Sequence, residues 1–172
     1  DFSAAAFLFA LNHIGGEVEP LLLNRESLQG DRVCEELLKR LHREGEVIDI
    51  TDCPDLGPIL FASAAALSGA TFTGTRRLKI KESDRATVMA EELSKLGVEV
   101  TVSENSVTVR VGALKEPKEE LCGHNDHRIV MSLAVLLTLT GGIISGAEAV
   151  SKSYPEFFTH LTSLGIRCEM ID

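Results

Sequence analysis

Three times along the chain an aspartate opens a nearly unbroken apolar run that stops at glycine. The runs are "DFSAAAFLFALNHIGG" from Asp1, "DLGPILFASAAALSG" from Asp55 and "DHRIVMSLAVLLTLTGG" from Asp126. The spacings from aspartate to the closing glycine are 14, 14 and 15 residues. Each run is too long for an ordinary strand and well short of the roughly 20 residues that span a bilayer. The spacing therefore predicts three helices closed at Gly15-Gly16, Gly69 and Gly141-Gly142, where glycine takes the left-handed C-terminal cap. A helix that is apolar all round is buried on every side, so these three are expected at the centre of the domain.

Each run is followed by the same plan: a short strand, a second helix, a glycine and another strand. The second helices differ from the first set. Val33, Leu37 and Leu41, then Met89, Leu93 and Leu96, then Phe157, Leu161 and Leu164 follow three-and-four spacing, which buries one face only. They stop near Gly45, Gly97 and Gly165, and the strands "EVIDI", "VEVTVS" and "IRCEMI" follow. "VEVTVSENSVTVRV" alternates on both sides of a polar turn and reads as a hairpin. The charged "GALKEPKEELCGHN" after it reads as an exposed loop. The expectation is one α/β domain over residues 1–172 with quasi-threefold symmetry.

Composition narrows the function classes. The chain is 44% hydrophobic and 25% charged, as in a soluble globular protein. Seventeen Lys and Arg against 26 Asp and Glu give a net charge of -9, which argues against nucleic acid or an anionic membrane as the main partner. A local basic site is still compatible with that charge. Cys34, Cys53, Cys122 and Cys168 are scattered without a CxxC pair, so neither a disulfide framework nor a zinc site is expected, and a reduced cytoplasmic compartment fits. No signal-peptide pattern is seen. The first residue is Asp and the opening reads directly as a helix, so the chain is expected to be a piece of a longer protein.

Charge gathers where helices begin. Arg128 falls in the first turn of the third apolar helix and Arg85 in the first turn of the middle amphipathic one. Lys152 falls just before a helix opened by Ser153 and Pro155. Helix N-termini carry about half a positive charge, so cations there are misplaced unless anions join them. Local ion pairs are one resolution, with Asp84 or Glu82 offsetting Arg85 and Asp126 offsetting Arg128. An anion-binding site built from helix ends and basic side chains is the other, favoured because three related starts share the feature. Asp55 reads as the N-cap of the middle apolar helix, with catalysis as the second reading. Glu82, between Lys81 and Arg85, is either an ionised partner or a proton donor. His124 and His127 in "HNDH" lack a third ligand at a recognisable spacing, which disfavours a metal.

In chain order, "DFSAAAF", "DCPDLGPILFASAAALSGAT", "RLKIKESDR", "NDHRIVMSLAV" and "SKSYPEFFTHLTSLG" together resemble the C-terminal half of the EPSP synthase (5-enolpyruvylshikimate-3-phosphate synthase) family. The resemblance covers essentially the whole chain. It implies a domain of three repeated βαβαββ units with buried central helices and sheets outside. It also implies a second, N-terminal domain absent from this chain, and an active site between the two.

The implied reaction moves the enolpyruvyl group of phosphoenolpyruvate to the 5-hydroxyl of shikimate 3-phosphate and releases phosphate, with no metal or organic cofactor. By resemblance, Asp55 binds the shikimate hydroxyls and accepts the attacking proton, and Lys81 stands beside that hydroxyl. Glu82 acts as acid and base at the methylene carbon, and Arg85, Arg128 and Lys152 hold the carboxylate and phosphate of phosphoenolpyruvate. A monomer is expected, inactive without its other half. The alternatives are an enolpyruvyl transferase for another acceptor, such as a UDP-sugar, and a non-catalytic anion-binding module of the same fold. One departure is Ala4, where the family usually has a second serine after Ser3.

Overall fold

The computed structural model describes residues 1–20, 23–24 and 26–171. The three apolar runs form α1 (Phe2–His13), α3 (Gly57–Ala66) and α5 (His127–Thr140). Gly15, Gly69 and Gly141 follow them with φ of 119°, 69° and 72°, the positive values that let glycine turn the chain away. The three helices pack on one another, and α3 is buried along its whole length from Gly57 to Ala65. The helix α1 departs from the expectation. Phe2, Ala6, Phe7, Ala10 and Leu11 are buried, but Leu8 and Phe9 are only partly covered.

The second helices are α2 (Cys34–Arg40), α4 (Arg85–Lys95) and α6 (Phe157–Ser163). Met89, Leu93 and Leu96 are fully buried, as are Leu38 and Leu41 of the first repeat, and Phe157 and Leu161 hold α6 to the core. Leu164 was expected on that face but is 43% exposed, because α6 ends at Ser163 and Leu164 lies at its terminus. Truncating a fully buried leucine such as Leu93 to alanine costs about 2–5 kcal/mol, whereas Leu164 has little burial to lose.

Strands β1 (Val47–Asp49), β2 (Ala70–Thr73), β3 (Val100–Val102) and β4 (Ser106–Val109) form one sheet in the order β1-β2-β4-β3. Strand β1 runs parallel to β2, and β4 is antiparallel to both β2 and β3, so the expected hairpin is present. Ile48, Phe72, Val107 and Val109 face inward, and the Phe72 ring packs on Phe61 of α3 with centroids 4.9 Å apart. Outward, Thr71 and Thr108 join hydroxyls at 3.0 Å. The sheet therefore covers the helices from outside.

Three expectations about strands fail. Within the segment read as an exposed loop, Leu121 and Cys122 form β5, parallel to β6 (Ile144–Ser145), with Leu121 fully buried. "IRCEMI" forms no strand, although Ile166 and Cys168 alternate toward the core, since no neighbouring strand pairs with it among the described residues. The strand expected after Gly16 falls partly on Leu21 and Leu22, outside the described residues, and none forms in the described part. The full helix-strand-helix-hairpin plan is present in the middle repeat. Among the described residues, no helix is long and apolar enough to cross a membrane.

Candidate functional site

Asp126 caps α5, accepting the Arg128 backbone N–H at 2.9 Å, and Asp1 caps α1 through the Ser3 N–H at 2.8 Å. Asp55 does not cap α3. It lies inside a 3₁₀ turn, Pro54–Leu56, which runs directly into the helix, and the helix cap is Leu56 without a side-chain bond. Two features make a side-chain cap unnecessary there. Leu56 and Gly57 donate to carbonyls of the turn, and Pro58 has no N–H to satisfy. Gly57 also brings the helix start against the Leu78 side chain, which a Cβ would crowd.

Freed from capping, the Asp55 carboxylate meets cations. Lys81 Nζ is 3.0 Å from it, Arg85 Nη1 2.8 Å and Arg128 Nη2 3.5 Å. Arg128 Nη1 also donates to the Asp55 carbonyl at 3.4 Å. Burial works to raise the Asp55 carboxyl, but Arg128, Lys81 and Arg85 outweigh it and hold the group below the usual carboxylate range. With 34% of its side chain exposed, Asp55 is a charged carboxylate that solvent or a ligand reaches.

Arg85 is the hub. Its side chain is 1% exposed and is gripped from three directions. Nε donates to Asp126 at 2.8 Å and Nη2 to the same carboxylate at 3.2 Å, while Nη2 reaches Glu82 at 2.5 Å and Nη1 reaches Asp55. The forked guanidinium suits such multiple engagement where an ammonium would not. Asp126 is fully buried and also accepts from the Ser83 hydroxyl at 3.0 Å. Burial opposes its charge, but the Arg85 bonds and the Arg128 N–H keep its carboxyl below the ordinary value.

The ion pairing differs from the local scheme read in the sequence. Asp84 caps α4 through the Thr87 N–H instead of offsetting Arg85, and Asp126 pairs with Arg85 instead of the Arg128 side chain. Only the Glu82–Arg85 pair is as expected. Lys81, Arg85 and Arg128 thus interlock with Asp55, Glu82 and Asp126, so three cations meet three carboxylates.

Lys152 stands outside that network. It closes a 3₁₀ stretch, Ala147–Lys152, and α6 begins only at Phe157, because Tyr154 before Pro155 is steered away from helical geometry. Its ammonium donates to the Asn125 carbonyl at 2.5 Å and side chain at 2.8 Å, which ties it to the turn just before Asp126. His124 and Asn125 in that turn have φ of 48° and 54°, values uncommon for residues other than glycine. Gly123 ahead of them lies so close to Val130 and the Ser145 carbonyl that no Cβ fits.

The two histidines have separate fates: His124 bonds Glu92, whereas buried His127 leaves Nδ1 without a partner among the described residues. Burial, then Arg128, push the His127 imidazole below its usual value.

Sequence reasoning missed Asp126 as a partner of Arg85, 41 residues away, and missed Glu92 altogether. The available signal for Glu92 was its place seven residues after Arg85 and three after Met89, on an otherwise buried stripe.

A family model described as EPSP synthase (3-phosphoshikimate 1-carboxyvinyltransferase) matches residues 3–161. The chain is similar to a 3-phosphoshikimate 1-carboxyvinyltransferase of Clostridium acetobutylicum, at 43% identity over 96% of this chain and 42% of the relative. It is also similar to one from Clostridium kluyveri, at 38% identity over 96% of this chain and 43% of the relative. Among solved structures, an EPSP synthase from Acinetobacter baumannii superposes with a TM-score of 0.80 and 26% identity, over 99% of this chain and 47% of that one. The chain therefore spans less than half the length of the relatives it matches. Within that span the fold and the sequence agree, and the chain belongs to the EPSP synthase family.

Proposed function

We propose that this chain is the C-terminal wall of an enolpyruvyl-transferase cleft. In the complete protein it serves transfer of the enolpyruvyl group from phosphoenolpyruvate to the 5-hydroxyl of shikimate 3-phosphate, with release of phosphate. Residues 1–172 form the C-terminal domain, the N-terminal domain supplies the facing wall, and the protein works as a cytoplasmic monomer. The observation that carries this reading is the uncapped, solvent-reachable Asp55 held by Lys81, Arg85 and Arg128, with Glu82 on the same guanidinium.

Asp55 binds the shikimate hydroxyls, and Lys81 stands beside the one that attacks. The cations that now depress the Asp55 proton affinity are those an incoming carboxylate or phosphate engages. As Arg128 and Lys81 turn toward the substrate anions, Asp55 becomes a better base at the moment it is needed. It takes the proton as the 5-hydroxyl oxygen attacks C2 of phosphoenolpyruvate, and Glu82, acting in its protonated form, gives its proton to the C3 methylene, which becomes a methyl group. In the tetrahedral intermediate Glu82 removes a methyl proton, the C2–O bond to phosphate breaks, and the departing phosphate carries off the proton held by Asp55. Arg128 and Lys152 hold the carboxylate and phosphate. Arg85 completes the cation set from behind by fixing Asp55 and Glu82. Two anionic substrates repel one another in water, so these clustered cations serve both binding and the transition state.

The test is phosphate release from shikimate 3-phosphate and phosphoenolpyruvate. The complete protein is expected to turn over, the 172-residue chain alone is expected to fold and stay inactive, and Glu82→Ala in the complete protein is expected to lose about 10²–10⁴ in rate. Full turnover by Glu82→Ala, or turnover only with a UDP-sugar as acceptor, would contradict the assignment. So would phosphate release by the isolated chain.

A further inference from the structure

Glu92 is a carboxylate with 2% of its side chain exposed, on the third turn of α4, far along the helix from Asp55 and Glu82. Such a charge has to be fully engaged. One oxygen accepts the Cys122 backbone N–H at 2.9 Å, the other accepts from His124 Nε2 at 2.9 Å, and Lys95 closes the cluster at 3.0 Å. All these partners except Lys95 lie on the segment that leads into α5. Burial works against the Glu92 charge, and the His124, Cys122 and Lys95 contacts more than offset it, leaving its carboxyl below the usual range.

The helix α4 grips this segment twice. Arg85 at its first position binds Asp126, and Glu92, seven residues and about 10 Å further along the same face, binds Cys122 and His124. Between the two grips run His124 and Asn125, both in the left-handed region, and the His124 N–H additionally meets Cys122 Sγ at 3.3 Å. Asn125 receives Lys152, and Arg128 follows Asp126 by two residues. The placement of both proposed phosphoenolpyruvate cations thus depends on a turn whose backbone shape is unusual and whose near end is tied down by Glu92.

We propose that Glu92 is a positioning residue: through Cys122 and the His124 ring it holds the 122–126 turn in the shape that presents Arg128 and the Asn125-bound Lys152 to the anionic substrate. This rests on the reading of those two cations as the phosphoenolpyruvate ligands. Glu92 touches no substrate, so its effect falls on substrate binding more than on the chemical step.

Three variants of the complete protein test this: Glu92→Gln, His124→Asn, which keeps a residue tolerant of the left-handed turn, and the neighbouring exposed Glu91→Gln as control. Kinetics with phosphoenolpyruvate and shikimate 3-phosphate are read alongside amide hydrogen exchange. Glu92→Gln is expected to raise the KM for phosphoenolpyruvate about tenfold while kcat stays within about threefold. His124→Asn moves the same way by less, and Glu91→Gln changes neither. Exchange at Cys122 and Asp126 quickens in Glu92→Gln while the α3 amides keep their protection.

An unchanged KM with unchanged exchange overturns the inference. A uniform rise in exchange across α3 and the turn also overturns it, because Glu92 would then be a general stabiliser. The exchange arm needs no turnover, so if the protein proves inactive with these substrates the functional reading fails while the tether is still judged.

Discussion

Asp126 and Asp55 stand at the starts of neighbouring buried helices and face the same guanidinium, yet they are used in opposite ways. Asp126 is fully buried, caps α5 and gives its remaining acceptor capacity to Arg85 and Ser83. Asp55 is a third exposed, caps nothing, and binds only cationic side chains with its carboxylate. The first is saturated by its own chain and supports the fold. The second is held in place and still reachable, as a group that meets a substrate has to be. A sequence that writes aspartate at equivalent points of a repeat thus separates structure from chemistry through the local turn, here Pro54–Leu56 with Pro58 behind it.

Replacing Asp126 by Asn sharpens the contrast most. Asparagine caps a helix well, so the cap survives, but the buried Arg85 charge loses its fully buried carboxylate partner. Denaturant unfolding is expected to show a loss of about 3–5 kcal/mol. A loss below about 1 kcal/mol would mean that Asp126 is no more structural than a surface pair.

Acid gives a smaller, graded test. The Asp126 and Asp55 carboxyls are held below their ordinary values in the fold, so the unfolded chain binds more protons in acid and stability falls with pH. That contribution is complete above the unfolded value of about 4 and disappears as pH drops through the folded values. His127 and His13 are lowered as well, which adds an earlier decline beginning near the unfolded imidazole value of about 6.5. Unfolding curves between pH 8 and pH 3 should be level at first, sag below the imidazole value and steepen in the carboxylate range. Asp126→Asn should remove much of the steep part, and a level profile down to pH 3 would refute the electrostatic picture.

Asp1 is the smallest case and the reference for a cap alone. It accepts the Ser3 N–H and the Gln29 side chain at an exposed position. Asp1→Ala is expected to cost about 1 kcal/mol, measured by the same unfolding curves. A cost equal to that of Asp126→Asn would erase the distinction between capping and charge burial.

The helices were legible because their signals are local. Apolar runs, three-and-four spacing and terminal glycines need no partner to be read, and α1, α3, α5 and α4 appear where they imply. The failures are places where a partner decides. Ile166 and Cys168 alternate like a strand but find no strand to pair with, while the short, charged surroundings of Leu121 hide a strand that β6 creates. At the site, Glu82 and Arg85 were legible as a pair three residues apart at the entrance of α4. The links from Arg85 to Asp126 and from Glu92 to His124 span 41 and 32 residues, and only the packing of α4 beside the 121–126 segment brings them together.

The most direct measurement is Asp55→Asn in the complete protein, with phosphate release from phosphoenolpyruvate and shikimate 3-phosphate and unfolding read on the same sample. Turnover is expected to fall by about 10²–10⁴ while stability stays within about 1 kcal/mol of the parent. Turnover close to the parent's, or a stability loss matching that of Asp126→Asn, would show that Asp55 is one more structural aspartate and that the cation cluster around it serves the fold alone.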